Sequence, residues 1–117
     1  MRSMIAEIGG EKRELVANYK ASMEIANKVA DPIYIARQAA IEESMRSRGF
    51  PWTPDFAFNV ENVVQILSIA LGAKRDDVQE WVFDMGFDEA VGLAGDYLSL
   101  IVTAKPQSVR AESSSGE

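Results

Sequence analysis

The chain contains no cysteine and no histidine. Without thiol or imidazole there is no thiolate nucleophile, no Ser-His pair, no imidazole base, no structural zinc site and no haem ligand. Disulfides are excluded as well, and a small domain that stands without them fits a reducing cytosol. Positive charge is also short. Twelve Lys+Arg stand against 18 Asp+Glu, a net charge of −6, whereas affinity for a phosphate backbone rests on a basic patch. No nucleic-acid partner is expected. No apolar run is long enough to cross a bilayer, and Met1-Arg2-Ser3-Met4-Ile5-Ala6-Glu7 reaches a charge before a signal-type apolar segment develops. The expectation is a soluble cytoplasmic protein with no membrane partner, no metal and no cofactor. What chemistry remains would have to run on carboxylates, lysine, tyrosine or serine.

What is present is the material of one folded domain: 117 residues, 47% hydrophobic and 26% charged. Its charge is uneven. Residues 1–54 hold 8 Lys+Arg and 7 Asp+Glu, while residues 55–117 hold 4 and 11. A single globular domain is expected over 1–105, followed by a disordered tail over 106–117, where Ala111-Glu112-Ser113-Ser114-Ser115-Gly116-Glu117 has nothing to bury.

Periodicity places the elements. Met4, Ala6 and Ile8 alternate, Gly9-Gly10-Glu11-Lys12 supplies turn chemistry, and Leu15, Ala17 and Tyr19 alternate again, which predicts a β-hairpin over 4–19. A lone hairpin is marginal in water, so it must lie on helices or pair its edge with another chain. A short helix over about 20–30 follows, with Ser22, Ile25, Ala26 and Val29 on one face. Asp31 as N-cap and Pro32 at the first helical position open a second helix that runs to about Arg48 and closes at Gly49. Arg37 and Ser44 interrupt its apolar arc of Ile33, Tyr34, Ala40 and Ile41, and Ile35 sits off that arc, so a surface helix is expected. Asn59 caps a third helix, ended by Gly72, which is apolar nearly all round and is the expected centre of the core. A fourth, starting near Asp76, buries Val78, Trp81, Val82 and Met85 and stops at Gly86, with Phe83 facing away. The last, capped by Asp88, runs to about Thr103 with Ala90, Leu93, Ala94, Tyr97, Leu98 and Ile101 in register. The predicted class is mainly α: a small domain of about five helices with an N-terminal β-hairpin.

No catalytic constellation emerges. Asp76, Asp77, Asp84 and Asp88 lack the loop spacing of a calcium site and read as caps and solvated faces. Gly9-Gly10 and Gly72-Ala73-Lys74 fit no phosphate-binding pattern and read as turn and cap glycines. An enzyme built on carboxylates would need a buried pair in an apolar setting, and none is embedded in an apolar run. Two candidate contact surfaces stand out. One is the arm Phe50 to Phe58, where Phe50, Trp52, Phe56 and Phe58 surround Pro51 and Pro54; it reads either as a partner-binding edge or as a loop whose rings seal the core. Phe83 adds an exposed aromatic. The other surface is Gly92, Gly95 and Ser99, one small-residue face of the last helix, where a close helix crossing, internal or between subunits, is favoured over simple tolerance of small residues. A binding protein is expected rather than an enzyme.

The order of these elements resembles a known family. The run Ile8-Gly9-Gly10-Glu11-Lys12-Arg13-Glu14-Leu15-Val16-Ala17-Asn18-Tyr19, followed by Ala21-Ser22-Met23-Glu24-Ile25, resembles the opening of the tail assembly chaperones of long-tailed phages and gene transfer agents. Asn62 to Leu71, then Asp76-Asp77-Val78-Gln79-Glu80-Trp81-Val82 and Gly86-Phe87, then the closing helix through Leu98, look similar to the second half. The likeness spans about residues 5–103 and rests on elements and hydrophobic positions rather than an invariant motif. It implies a non-enzymatic, self-associating protein of the host cytoplasm. Such a protein coats the tape measure protein, keeps it soluble until tail tube protein polymerises around it, and has no catalytic residues to carry over. The alternative is a small helical adaptor or anti-activator that binds one folded regulator through the aromatic arm.

Overall fold

The computed structural model describes residues 2–51 and 58–103. Trp52 and Phe56 of the aromatic arm and the expected tail over 106–117 lie outside the described residues.

Gly9 and Gly10 both take positive φ, 65° and 83°, the backbone of a two-residue turn whose twist matches that of paired strands. They join β1 (Arg2–Ile8) to β2 (Glu11–Ala17) in antiparallel register, Ile8 opposite Glu11 and Arg2 opposite Ala17. The alternation works as expected: Met4, Ala6 and Ile8 turn towards the helices together with Leu15 and Ala17, while Ile5 faces out. Tyr19 does not continue the strand. The Asn18 side chain accepts a hydrogen bond from the Ala21 amide at 2.8 Å, so the backbone turns into α1 (Tyr19–Lys28) and leaves Tyr19 exposed at its first position. On α1, Ile25 is fully buried as expected, but Ala21 rather than Ser22 is its buried companion.

Asp31 accepts from the Ile33 amide at 2.9 Å and Pro32 opens α2 (Pro32–Ser47). This is a surface helix, with a correction to its register. Ile35, placed off the arc by sequence, is buried, and Ile33, Tyr34, Ala40 and Ile41 face solvent. The inward line runs Ile35, Gln38, Glu42, Met45, half polar because only the first turn of α2 reaches the core. Near its C-terminal end Arg46 pairs with half-buried Glu42 and with exposed Glu43.

Helix α3 (Val60–Leu71) is the centre, as its sequence requires. Asn59 caps it by accepting from the Asn62 amide at 2.8 Å, and Gly72 closes it with φ 64°. Val63, Val64, Ile66, Leu67 and Ala70 are buried against β2, α1, α4 and α5. Ser68 is buried among them, and its hydroxyl has no hydrogen-bond partner among the described residues. Burying an unpaired hydroxyl costs free energy that a methyl would not. Ser68→Ala is therefore expected to raise stability by about 1 kcal/mol, seen as a higher urea midpoint at unchanged slope; a lower midpoint would show that the hydroxyl is satisfied.

Helices α4 (Arg75–Met85) and α5 (Phe87–Val102) are separated by Gly86 alone. Asp76 and Asp88 are not the caps. Lys74 and Gly86 hold those positions with no side-chain cap bond, and the acids Asp76, Asp77, Asp88 and Glu89 sit inside the first turns. Both helices start earlier than their acids suggested, and there the negative charges meet the positive helix ends instead of a free amide. Tyr97 of α5 is fully buried and its hydroxyl donates to the Val16 carbonyl at 2.6 Å, tying α5 to β2.

Candidate functional site: an acidic, aromatic surface at the hairpin turn

Gly9 has a second role besides its turn. A Cβ there would lie 2.6 Å from Trp81 Nε1, so the missing side chain is what lets the indole of α4 lie against the hairpin. Arg13 holds the same ring: its guanidinium stands 4.1 Å from the ring centroid, a cation–π distance, while its Nε donates to the Ile8 carbonyl at 2.8 Å. The hairpin turn and α4 are thus fastened through one half-buried tryptophan.

Around this fastening lies an open groove of about 540 Å³, lined by Glu7, Glu80, Asp84 and Glu89 with Trp81, Met85 and the two turn glycines. Four carboxylates meet two apolar side chains, and no lysine or arginine lines the groove. Among the described residues, no group of three carboxylate or other donor side chains is placed to hold a metal ion. Phe83, one turn beyond Glu80 on α4, is exposed and packs edge-on against exposed Phe87, with ring centroids 6.0 Å apart and planes at 69°. Helices α4 and α5 thus present negative charge together with an aromatic pair that stays largely open to solvent at Phe83 and partly so at Phe87. Phe83 was expected to point outward. Reading Asp88 as the cap puts Phe87 outside the helix and hides it as a contact residue; in the structure it is the first residue of α5.

The other expected contact residues fare differently. Phe58 is half-buried and packs on the core, the sealing role. Phe50 is exposed just beyond α2, its amide bonded to the Met45 carbonyl at 2.9 Å. Gly92 and Ser99 are exposed and Gly95 half-buried, and a Cβ added at either glycine meets nothing within 4 Å. Among the described residues the favoured close crossing is thus not made, since α5 turns its other side to the core. Among the described residues, no helix is long and apolar enough to cross a membrane. In comparisons with known proteins, no family model, no curated protein and no solved structure matches the chain.

Proposed function

We propose that this chain is a non-catalytic binding protein, a tail assembly chaperone that holds an elongated tape measure protein in solution in the host cytoplasm until tail tube subunits polymerise around it. The acidic groove of Glu7, Glu80, Asp84, Glu89 and Trp81, together with the exposed Phe83–Phe87 pair on the same two helices, carries this reading. Its chemistry suits a helix whose apolar stripe is flanked by lysine or arginine, because apolar contact supplies affinity while opposite charge sets register and speeds encounter. The order of elements supports the choice of client.

Co-expression with a tape measure protein tests the proposal. The intact chain is expected to move the client into the soluble fraction and to purify with it in several copies per client. Phe83→Ser/Phe87→Ser removes two side chains that are already exposed, so its thermal midpoint should stay near that of the parent while client affinity falls at least tenfold, about 1.4 kcal/mol. Glu80→Lys/Asp84→Lys should weaken binding most at low salt. A client left insoluble and not captured by the intact chain ends the chaperone reading. One-to-one capture of a compact regulator transfers the function to an adaptor.

A further inference from the structure

The hairpin has two edges, and the fold treats them differently. At β2 the outward carbonyl of Val16 receives the Tyr97 hydroxyl, and the chain leaves directly into α1, which packs against β2. At β1 the first residue, Arg2, donates to the Thr103 carbonyl at the end of α5 and α5 packs on this strand too, but among the described residues no backbone bond reaches the strand's outward groups. A two-residue turn makes Ile8 and Glu11 a hydrogen-bonded pair, and the register repeats this at Ala6 with Arg13, Met4 with Leu15 and Arg2 with Ala17. The intervening Ser3, Ile5 and Glu7 therefore direct their N–H and C=O groups away from β2. Among the described residues none of these backbone groups has a backbone partner. Ile5, in the middle, is 65% exposed. Edges are ordinarily guarded by proline, lysine or a bulge; β1 has neither residue, and its pairing is unbulged from end to end.

We propose that β1 pairs with β1 of a second copy, antiparallel about a twofold axis at Ile5, giving one four-stranded sheet in the order β2, β1, β1, β2. The strand is self-complementary in this register. Ile5 faces Ile5 of the other copy, Ser3 faces Glu7, and Met4 faces Ala6, so no like charges are opposed and the exposed isoleucine is covered by its own copy. Each outward N–H and C=O of the three residues finds a mate, about six bonds in all. Sliding the strands by two residues leaves one outward residue of each copy unpaired and separates the isoleucines. The inference does not rest on the identity of the client.

Because the chain has no cysteine, single cysteines read the register directly. Opposed Cα atoms in a hydrogen-bonded pair stand about 5.5 Å apart, within disulfide range. Two copies of residue 3 would be about 13 Å apart, beyond it. In the purified chain without any client, Ile5→Cys is expected to oxidise to a covalent dimer. Ser3→Cys and Glu7→Cys should form no covalent dimer separately and cross-link when mixed. Ile5→Lys should weaken the concentration-dependent dimer seen by light scattering at least tenfold and leave the circular dichroism spectrum unchanged. Equal cross-linking of Ile5→Cys and Ser3→Cys, a mixture that does not cross-link, or a parent chain that stays monomeric at hundreds of micromolar overturns the proposal. A foreign strand at this edge would give that last result.

Discussion

Gly9→Ala is expected to lower stability by about 3 kcal/mol, while Gly10→Ala, one residue on, costs about 1 kcal/mol. Both glycines have left-handed φ, so both substitutions pay the strain of placing a Cβ there. They differ in what the new atom meets. Around Gly10 there is nothing within 4 Å, whereas at Gly9 the Cβ falls 2.6, 2.7 and 2.8 Å from three atoms of the Trp81 ring. The indole cannot yield freely, because Arg13 lies over it and Met85 shares the groove it lines. Moving the ring surrenders the cation–π contact, about 1 kcal/mol, and part of its burial. For a domain of this size the predicted losses correspond to a thermal midpoint lower by roughly 10–20 °C for Gly9→Ala and about 5 °C for Gly10→Ala. The cause is checked by a cycle with Trp81→Leu. If the ring is the obstacle, the Gly9→Ala penalty falls to that of Gly10→Ala once the ring is gone. Equal penalties at Gly9 and Gly10 in the parent chain would leave only the φ strain and remove the close approach from the account.

The same pair of residues shows what was legible in the sequence. The glycine pair announced a hairpin, and Asp31-Pro32, Asn59 and Gly72 announced helix ends that the structure places within a residue, because caps and turns are decided by chain neighbours. The apolar run of α3 announced the core. Register was lost where burial is set from outside the element: on α2, Ile35 is buried and Ile33 is not, since the inward line is half polar and hydrophobicity alone gives no direction. The cap at Asp88 failed because the single Gly86 between α4 and α5 lets the second helix begin at Phe87, and that misplacement hid the Phe83–Phe87 pair. The groove was not readable at all. Glu80 and Asp84 are a one-turn spacing that looks like any solvated face, and Glu7 reaches them only because the turn packs on Trp81, more than seventy residues along the chain. A Gly9 that serves both a turn and a close approach has the same sequence signature as one that serves the turn alone.

Stability is expected to fall by about 2–3 kcal/mol between pH 10 and pH 12 through Tyr97 alone. Burial pushes its phenol up to about 12, and the negative charge of Glu24 adds to the effect. In the unfolded chain the same group titrates near its ordinary value of about 10. Between these values the unfolded state has released the proton and the folded state still holds it, so raising the pH favours unfolding. Below pH 10 both states are protonated and this group adds no slope. Urea midpoints of the parent chain and Tyr97→Phe, followed from pH 8 to pH 11.5, separate this contribution from every other alkaline group, because only the difference between the two is read. At pH 8 the variant is expected to be less stable by about 1 kcal/mol, since the Val16 carbonyl loses its donor. As pH rises the two curves should approach one another and meet near pH 11, where the advantage of the buried phenol has been spent. Curves that stay parallel across this range would mean that the Tyr97 hydroxyl is not held as a buried donor. The bond matters beyond stability, for it occupies the outward Val16 carbonyl on β2, the edge that the proposed dimer does not use.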